Sequence, residues 1–136
     1  MRGVVPYDIR HEGQRDLLLD SLQTGANVVL HDLPGGSLIP VISVAGSASA
    51  LTGMAAEAGY RITLVIVLSP ALASAFIVGD ILDQFGTSVD YLAIRNRFFT
   101  RVAGFALFDG HTDATGSLIG GKSKQRLLQS NGRIID

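Results

Sequence analysis

The chain contains no cysteine in 136 residues, so it has neither a disulfide framework nor thiolate chemistry, and a reducing cytoplasm is the expected setting. Charge is also scarce. Asp, Glu, Lys and Arg make up 17% of residues against 47% hydrophobic ones, a balance that excludes the disordered class. The net charge is −1 and the Lys and Arg residues are scattered, so no basic face points to nucleic acid or anionic lipid. His11, His31 and His111 lie far apart without metal-ligand spacing, which argues against a zinc site. The opening "MRGVVPYDIRHE" lacks the apolar core of a signal peptide. The length suits one domain with a real core and not two.

Residues 33–56 and 62–79 carry no charge, and the second run has roughly the length that spans a bilayer. The first is mostly Ser, Ala and Gly, which gain little from lipid, and Ser69-Pro70 cuts the second in its middle. A strand followed by a helix accounts for the second run better than a membrane span does.

"RDLLLDSL" (15–22) predicts a short amphipathic helix stopped near Gly25. Asn27–His31 reads as a fully buried strand, because its apolar residues are continuous. Ser37–Ala58 predicts a helix of small residues, interrupted near Pro40 or Gly46 and ended by Gly59. "RITLVIVL" (61–68) is a second buried strand. Ser69 and Pro70 suit the N-cap and first position of a helix running to about Phe85 and stopping at Gly86. Val89–Ile94 reads as a third strand and Val102–Phe108 as a fourth. Lys122–Ser130 reads as a final helix closed by Asn131-Gly132. Strand and helix alternate, and the strands are too apolar for a wet face. The expectation is an α/β fold, a mostly parallel sheet with helices on both faces.

Ligands of such sheets sit beyond the strands' carboxyl ends, which directs attention to Asp32–Gly36, Ser69-Pro70 and Arg95–Arg97. Asp32 would emerge from a buried strand, half-exposed, where a carboxylate can hold a magnesium water. Gly35 and Gly36 would let backbone N–H groups approach a phosphate. The alternative is a plain turn with Asp32 as a cap. Gly116–Ser123, "GSLIGGKS", matches the phosphate-loop letters G-x-x-x-x-G-K-S, with Gly121, Lys122 and Ser123 as its core. The physics asks for a buried strand before the loop and a helix N-terminus after it. Polar "HTDATG" precedes it, which favours a chance match.

In order, "VVLHDLPGG", "LVIVLSPALASAFIVGDIL" and "YLAIRNRFF" resemble three successive signatures of the ParA/MinD-type P-loop ATPases. The likeness is greatest to the small members associated with plasmid stability and conjugal transfer. It spans roughly residues 8–110, and "SKQRLLQSNGRIID" resembles the family's next helix and strand. The resemblance implies Asp32 as the Walker B aspartate, holding Mg2+ through water, and Gly35 or Gly36 as the glycine that senses the γ-phosphate. It implies Ser69-Pro70 opening a helix, and Asn96 on the adenine edge with Arg97 beside it. Capping or solvated roles remain the alternatives for Asn96, Arg95 and Arg97. The cofactors implied are ATP and Mg2+; the partners implied are a second copy and a partition or transfer protein.

The chain departs from the family at its start, where no Gly-Lys-Ser or Gly-Lys-Thr precedes Asp32. The expectation is a partial, single ParA-like domain with weak or no ATP hydrolysis, since phosphate grip and metal positioning carry most of phosphoryl transfer. A missing neighbour would also leave the Asn27–His31 strand with an exposed edge that invites association.

Overall fold

The computed structural model describes residues 5–70, 72–99 and 105–136. The chain divides into two units, Met1–Arg61 and Ile62–Asp136.

In the first unit a short helix α1 (Asp16–Asp20) lies between 3-10 turns at Glu12–Gln14 and Ser21–Gln23. Two further helices follow, α2 (Leu38–Ala45) and α3 (Ala48–Glu57). The expected interruption falls at Gly46, whose φ of +86° only glycine adopts without strain. Ser47 then caps α3, its hydroxyl accepting the Ala50 N–H at 3.0 Å. Pro40 stands in the first turn of α2, where its missing N–H costs nothing. Ile9, Leu18, Leu51 and Ala55 are buried here.

The Asn27–His31 strand is not formed. The segment joins neither sheet, and Val28 and Leu30 are 81% and 84% exposed. An apolar run becomes a strand only when a neighbour completes its hydrogen bonds, and no described residue does so. Asp32 therefore follows a segment outside both sheets and not a sheet strand.

The second unit contains the sheet. β1 (Thr63–Leu68), β2 (Asp90–Arg95) and β5 (Gly132–Ile135) run parallel in the order β1-β2-β5. Thr63 lies beside Asp90 and Leu68 beside Arg95; Tyr91 lies beside Gly132. Helix α4 (Leu72–Phe85) links β1 to β2, and α6 (Lys122–Gln129) leads into β5. The two helices pack on each other, burying Val78, Leu82, Phe85 and Leu127 over the sheet face that carries Ile66, Leu68, Tyr91 and Ala93. On the opposite face Val65 and Val67 are 50% and 60% exposed, so the helices of this unit cover one face and not both.

The end of the sequence-predicted fourth strand is also helical. Residues 102–104 lie outside those described, and Ala106–Asp109 forms one helical turn, α5, ended by Gly110. A short apolar run does not by itself distinguish strand from helix. Next comes a small antiparallel hairpin, β3 (His111–Thr112) with β4 (Leu118–Ile119). The uncharged run 62–79 is divided between β1 and α4. Among the described residues no single helix is long and apolar enough to cross a membrane; α2 and α3 meet that test only as a pair bent by 62°.

Candidate functional site

Asp32 is exposed, and Leu33-Pro34 carries the chain from it into the turn at Gly35-Gly36. Gly36 has φ +79°, and a Cβ at either glycine would meet open space, so the loop faces outward. The Ser37 hydroxyl donates to the Pro34 carbonyl at 2.6 Å, which closes the turn and fixes the entry to α2. Among the described residues, no group accepts the N–H of Gly35, Gly36 or Ser37. These donors suit an anion by their chemistry.

Behind Asp32, His31 is held from two sides. The Tyr7 hydroxyl lies 2.6 Å from Nδ1 and the Ser21 hydroxyl 3.0 Å from Nε2, with Tyr7 edge-on to the imidazole. Ser21 gives its own proton to the Leu18 carbonyl at 2.5 Å. Nε2 must then carry the imidazole proton toward Ser21, and Nδ1 accepts from Tyr7. That direction makes Ser21 an unactivated hydroxyl and the set a clip for residue 31, not a nucleophile and base. Burial depresses the His31 pKa and raises that of Tyr7, which keeps both neutral. Nothing in the sequence announces this clip, because its members are separated by 10 and 24 residues.

In the second unit the parallel register brings Ser69-Pro70 and Asn96-Arg97 to one end of the sheet. The Asn96 N–H donates to the Leu68 carbonyl at 3.0 Å, one residue before Ser69. The Ser69 hydroxyl meets that of Ser74, in the first turn of α4, at 2.8 Å. Asn96 Oδ1 accepts the Phe98 N–H at 3.1 Å and caps the 3-10 turn Arg97–Phe99. Arg97 reaches the Asp136 carboxylate at 3.1 Å.

Beside them lies an ion network that sequence reasoning did not find. Arg95, 14% exposed, donates to Asp136 at 2.7 Å and to Asp109 at 2.6 Å; Lys124 reaches the same Asp109 oxygen at 2.9 Å. Hydrogen bonding to Asp136, chiefly, raises the Arg95 pKa against the cost of burial. Burial pushes Asp109 up, but the bonds from Lys124 and Arg95 outweigh it and hold its carboxyl below the usual range. Arg95 Nε is buried with no partner among the described residues.

Gly116–Ser123 is not shaped as a phosphate cradle. It begins in the hairpin turn, where Asp113 Oδ1 accepts from the Thr115 and Ser117 N–H groups, and continues through β4. The strand before α6 is thus two residues of hairpin and no part of the parallel sheet. The Gly121 N–H is spent on the Leu107 carbonyl at 2.9 Å. A Cβ at Gly120 would collide with that carbonyl, so the paired glycines let the loop rest on α5. Lys122 is exposed at the first position of α6, and Ser123 lies against Gly79 of α4.

Among the described residues no three His, Asp or Glu side chains group as metal ligands. Comparison with protein-family models, with curated proteins and with solved structures finds no match for this chain.

Proposed function

We propose that this is a ParA/MinD-like nucleotide-binding domain, related to plasmid partition, stability or conjugal-transfer ATPases. It binds ATP through the carboxyl end of its parallel sheet and hydrolyses it poorly or not at all. The observation that carries this reading is the register joining Leu68 to Asn96, which gathers Ser69, Asn96 and Arg97 at the sheet end where α/β folds take ligands. With Oδ1 engaged by Phe98, the Asn96 amide nitrogen is the group that would donate to an adenine edge.

ATP with Mg2+ is the cofactor this kinship implies, and the residues fit it only in part. In the first unit, taken by itself, Asp32 is exposed and has the chemistry to hold magnesium through water, and the Gly35-Gly36 donors suit a phosphate oxygen. The lysine-bearing grip does not fit, because the Gly121 amide is occupied by Leu107. No hydrolytic step follows from these groups. A cytoplasmic location, a homodimeric state and a partition or transfer partner protein belong to the same reading.

A fluorescent ATP analogue, titrated with magnesium, tests it. Binding in the micromolar to millimolar range is expected, weakened about 5- to 10-fold by Asn96→Ala, as loss of one hydrogen bond implies. Lys122→Ala should leave binding unchanged. Absence of binding refutes the reading, and loss of binding on Lys122→Ala would move the phosphate site to Gly116–Ser123.

A second reading is a docking module without nucleotide chemistry. It is favoured by the bare Val28 and Leu30 on a segment that joins neither sheet. Such a module would bind none of the analogue.

A further inference from the structure

β1 is an edge strand with the composition of a central one. It pairs with β2 on one side, and among the described residues nothing pairs with its other side. Sheets usually protect such an edge with lysine, proline or a bulge. Thr63–Leu68 has none of these; it reads TLVIVL, uncharged, with Val65 and Val67 half-exposed.

The order of residues matters more than the composition. Thr63-Leu64-Val65-Ile66-Val67-Leu68-Ser69 is a palindrome in residue character about Ile66, with valine flanking it, then leucine, then a hydroxyl residue. A two-fold interface must be self-complementary, since each patch meets a copy of itself. Antiparallel pairing of two such strands about Ile66 sets Val65 against Val67, Leu64 against Leu68 and Ile66 against its own copy. Each of these pairs is then apolar and matched in size, Thr63 meets the hydroxyl residue Ser69 at the ends, and no like charges are opposed.

The backbone agrees with this register. The carbonyls of Ile62 and Leu68 accept from β2 and its continuation, the N–H groups of Asp90 and Asn96, at 3.0 Å each. Even-numbered residues therefore direct their backbone groups to β2, and Thr63, Val65 and Val67 direct theirs to the open edge. Pairing Val65 with Val67 joins two outward-facing residues, as an antiparallel hydrogen-bonded pair requires. A slip of one residue would oppose an outward residue to an inward one and lose the bonds.

We propose that two copies of this chain associate through β1, antiparallel and centred on Ile66, to form a continuous six-stranded sheet. The edge is about 20 Å long at ~3.3 Å per residue. It therefore buries less than the ~1,200 Å² typical of tight complexes, and a concentration-dependent dimer follows. This assembly is independent of nucleotide.

The test uses the full chain, and the absence of cysteine makes it clean. Analytical ultracentrifugation without nucleotide should show a monomer–dimer equilibrium at micromolar to millimolar concentration, weakened at least ~10-fold by Val67→Lys. Val65→Cys and Val67→Cys are then prepared separately and oxidised alone and mixed. The mixture should cross-link several-fold faster than either variant alone, because Val65 faces Val67 within disulfide reach and each residue is diagonal to its own copy. Circular dichroism checks that each variant is folded; if Val67→Lys does not fold, the cysteine pair decides. A wild-type chain that stays monomeric throughout, a dimer indifferent to Val67→Lys, or a mixture no faster than the single variants would overturn the proposal.

Discussion

Gly120→Ala is the substitution that best separates a structural glycine from a phosphate-binding one. Gly120 has φ +76°, a left-handed conformation that costs a residue with a Cβ about 1–2 kcal/mol. The new methyl would also strike the Leu107 carbonyl, forcing the end of α5 or the loop to shift. Overpacking of that kind costs about 1–3 kcal/mol more. Together the loss is about 2–5 kcal/mol, a large part of a small domain's usual 5–15 kcal/mol or so. Gly116→Ala is the matched control, since Gly116 has φ +83° and open space where a Cβ would go. It should lose only the conformational part, about 1–2 kcal/mol. Urea denaturation followed by circular dichroism measures both. If the two variants lose equal stability, the close approach of the glycine pair to α5 is not what holds this loop. If Gly120→Ala is harmless to stability yet abolishes nucleotide binding, the loop works on phosphate after all.

Two other predictions concern charge. Burial lowers the His31 pKa, so the fold prefers neutral imidazole: stability is full above the unfolded value near 6.5 and falls as pH drops below it. Comparing the pH dependence of urea midpoints for wild type and His31→Gln between about pH 5 and 8 checks this; identical profiles would refute it. Asp109→Asn should cost about 1–2 kcal/mol, because it weakens one partly exposed acceptor shared by Arg95 and Lys124. The wild-type contribution of Asp109 is present above its unfolded pKa and lost as pH falls through its lowered folded value. Acid titration of stability should therefore be shallower in Asp109→Asn, and a steeper one would contradict the network.

The elements legible in the sequence were those with strong local signals. β1 and β2 followed from apolar runs of strand length; the end of α4 and the break before α3 followed from Gly86 and Gly46, both left-handed. α6 and its stop followed from Lys122–Ser130 and Asn131-Gly132, where Asn131 has φ +59°, whereas β5 was expected only from the family resemblance of the last residues. The hairpin at 111–119 escaped because its strands are two residues long; the Asp113–Ser117 turn, with Asp113 bonding two residues ahead, was the signal available. The sequence placed Ser69, Asn96 and Arg97 at the sheet end where they lie, but not the pairing of Arg95 with Asp109, whose ion pair joins residues 14 apart through the fold.

The sequence alone determined an α/β chain, its helix stops and the apolar strands of a parallel sheet, because each depends on neighbours along the chain. Only the tertiary structure decided that Val28–His31 stays unpaired while an equally apolar β1 is paired on one side. It also decided that Gly120 and Gly121 serve α5. A strand exists through its neighbour's hydrogen bonds, and an amide's availability depends on what lies opposite it; neither is written in local composition.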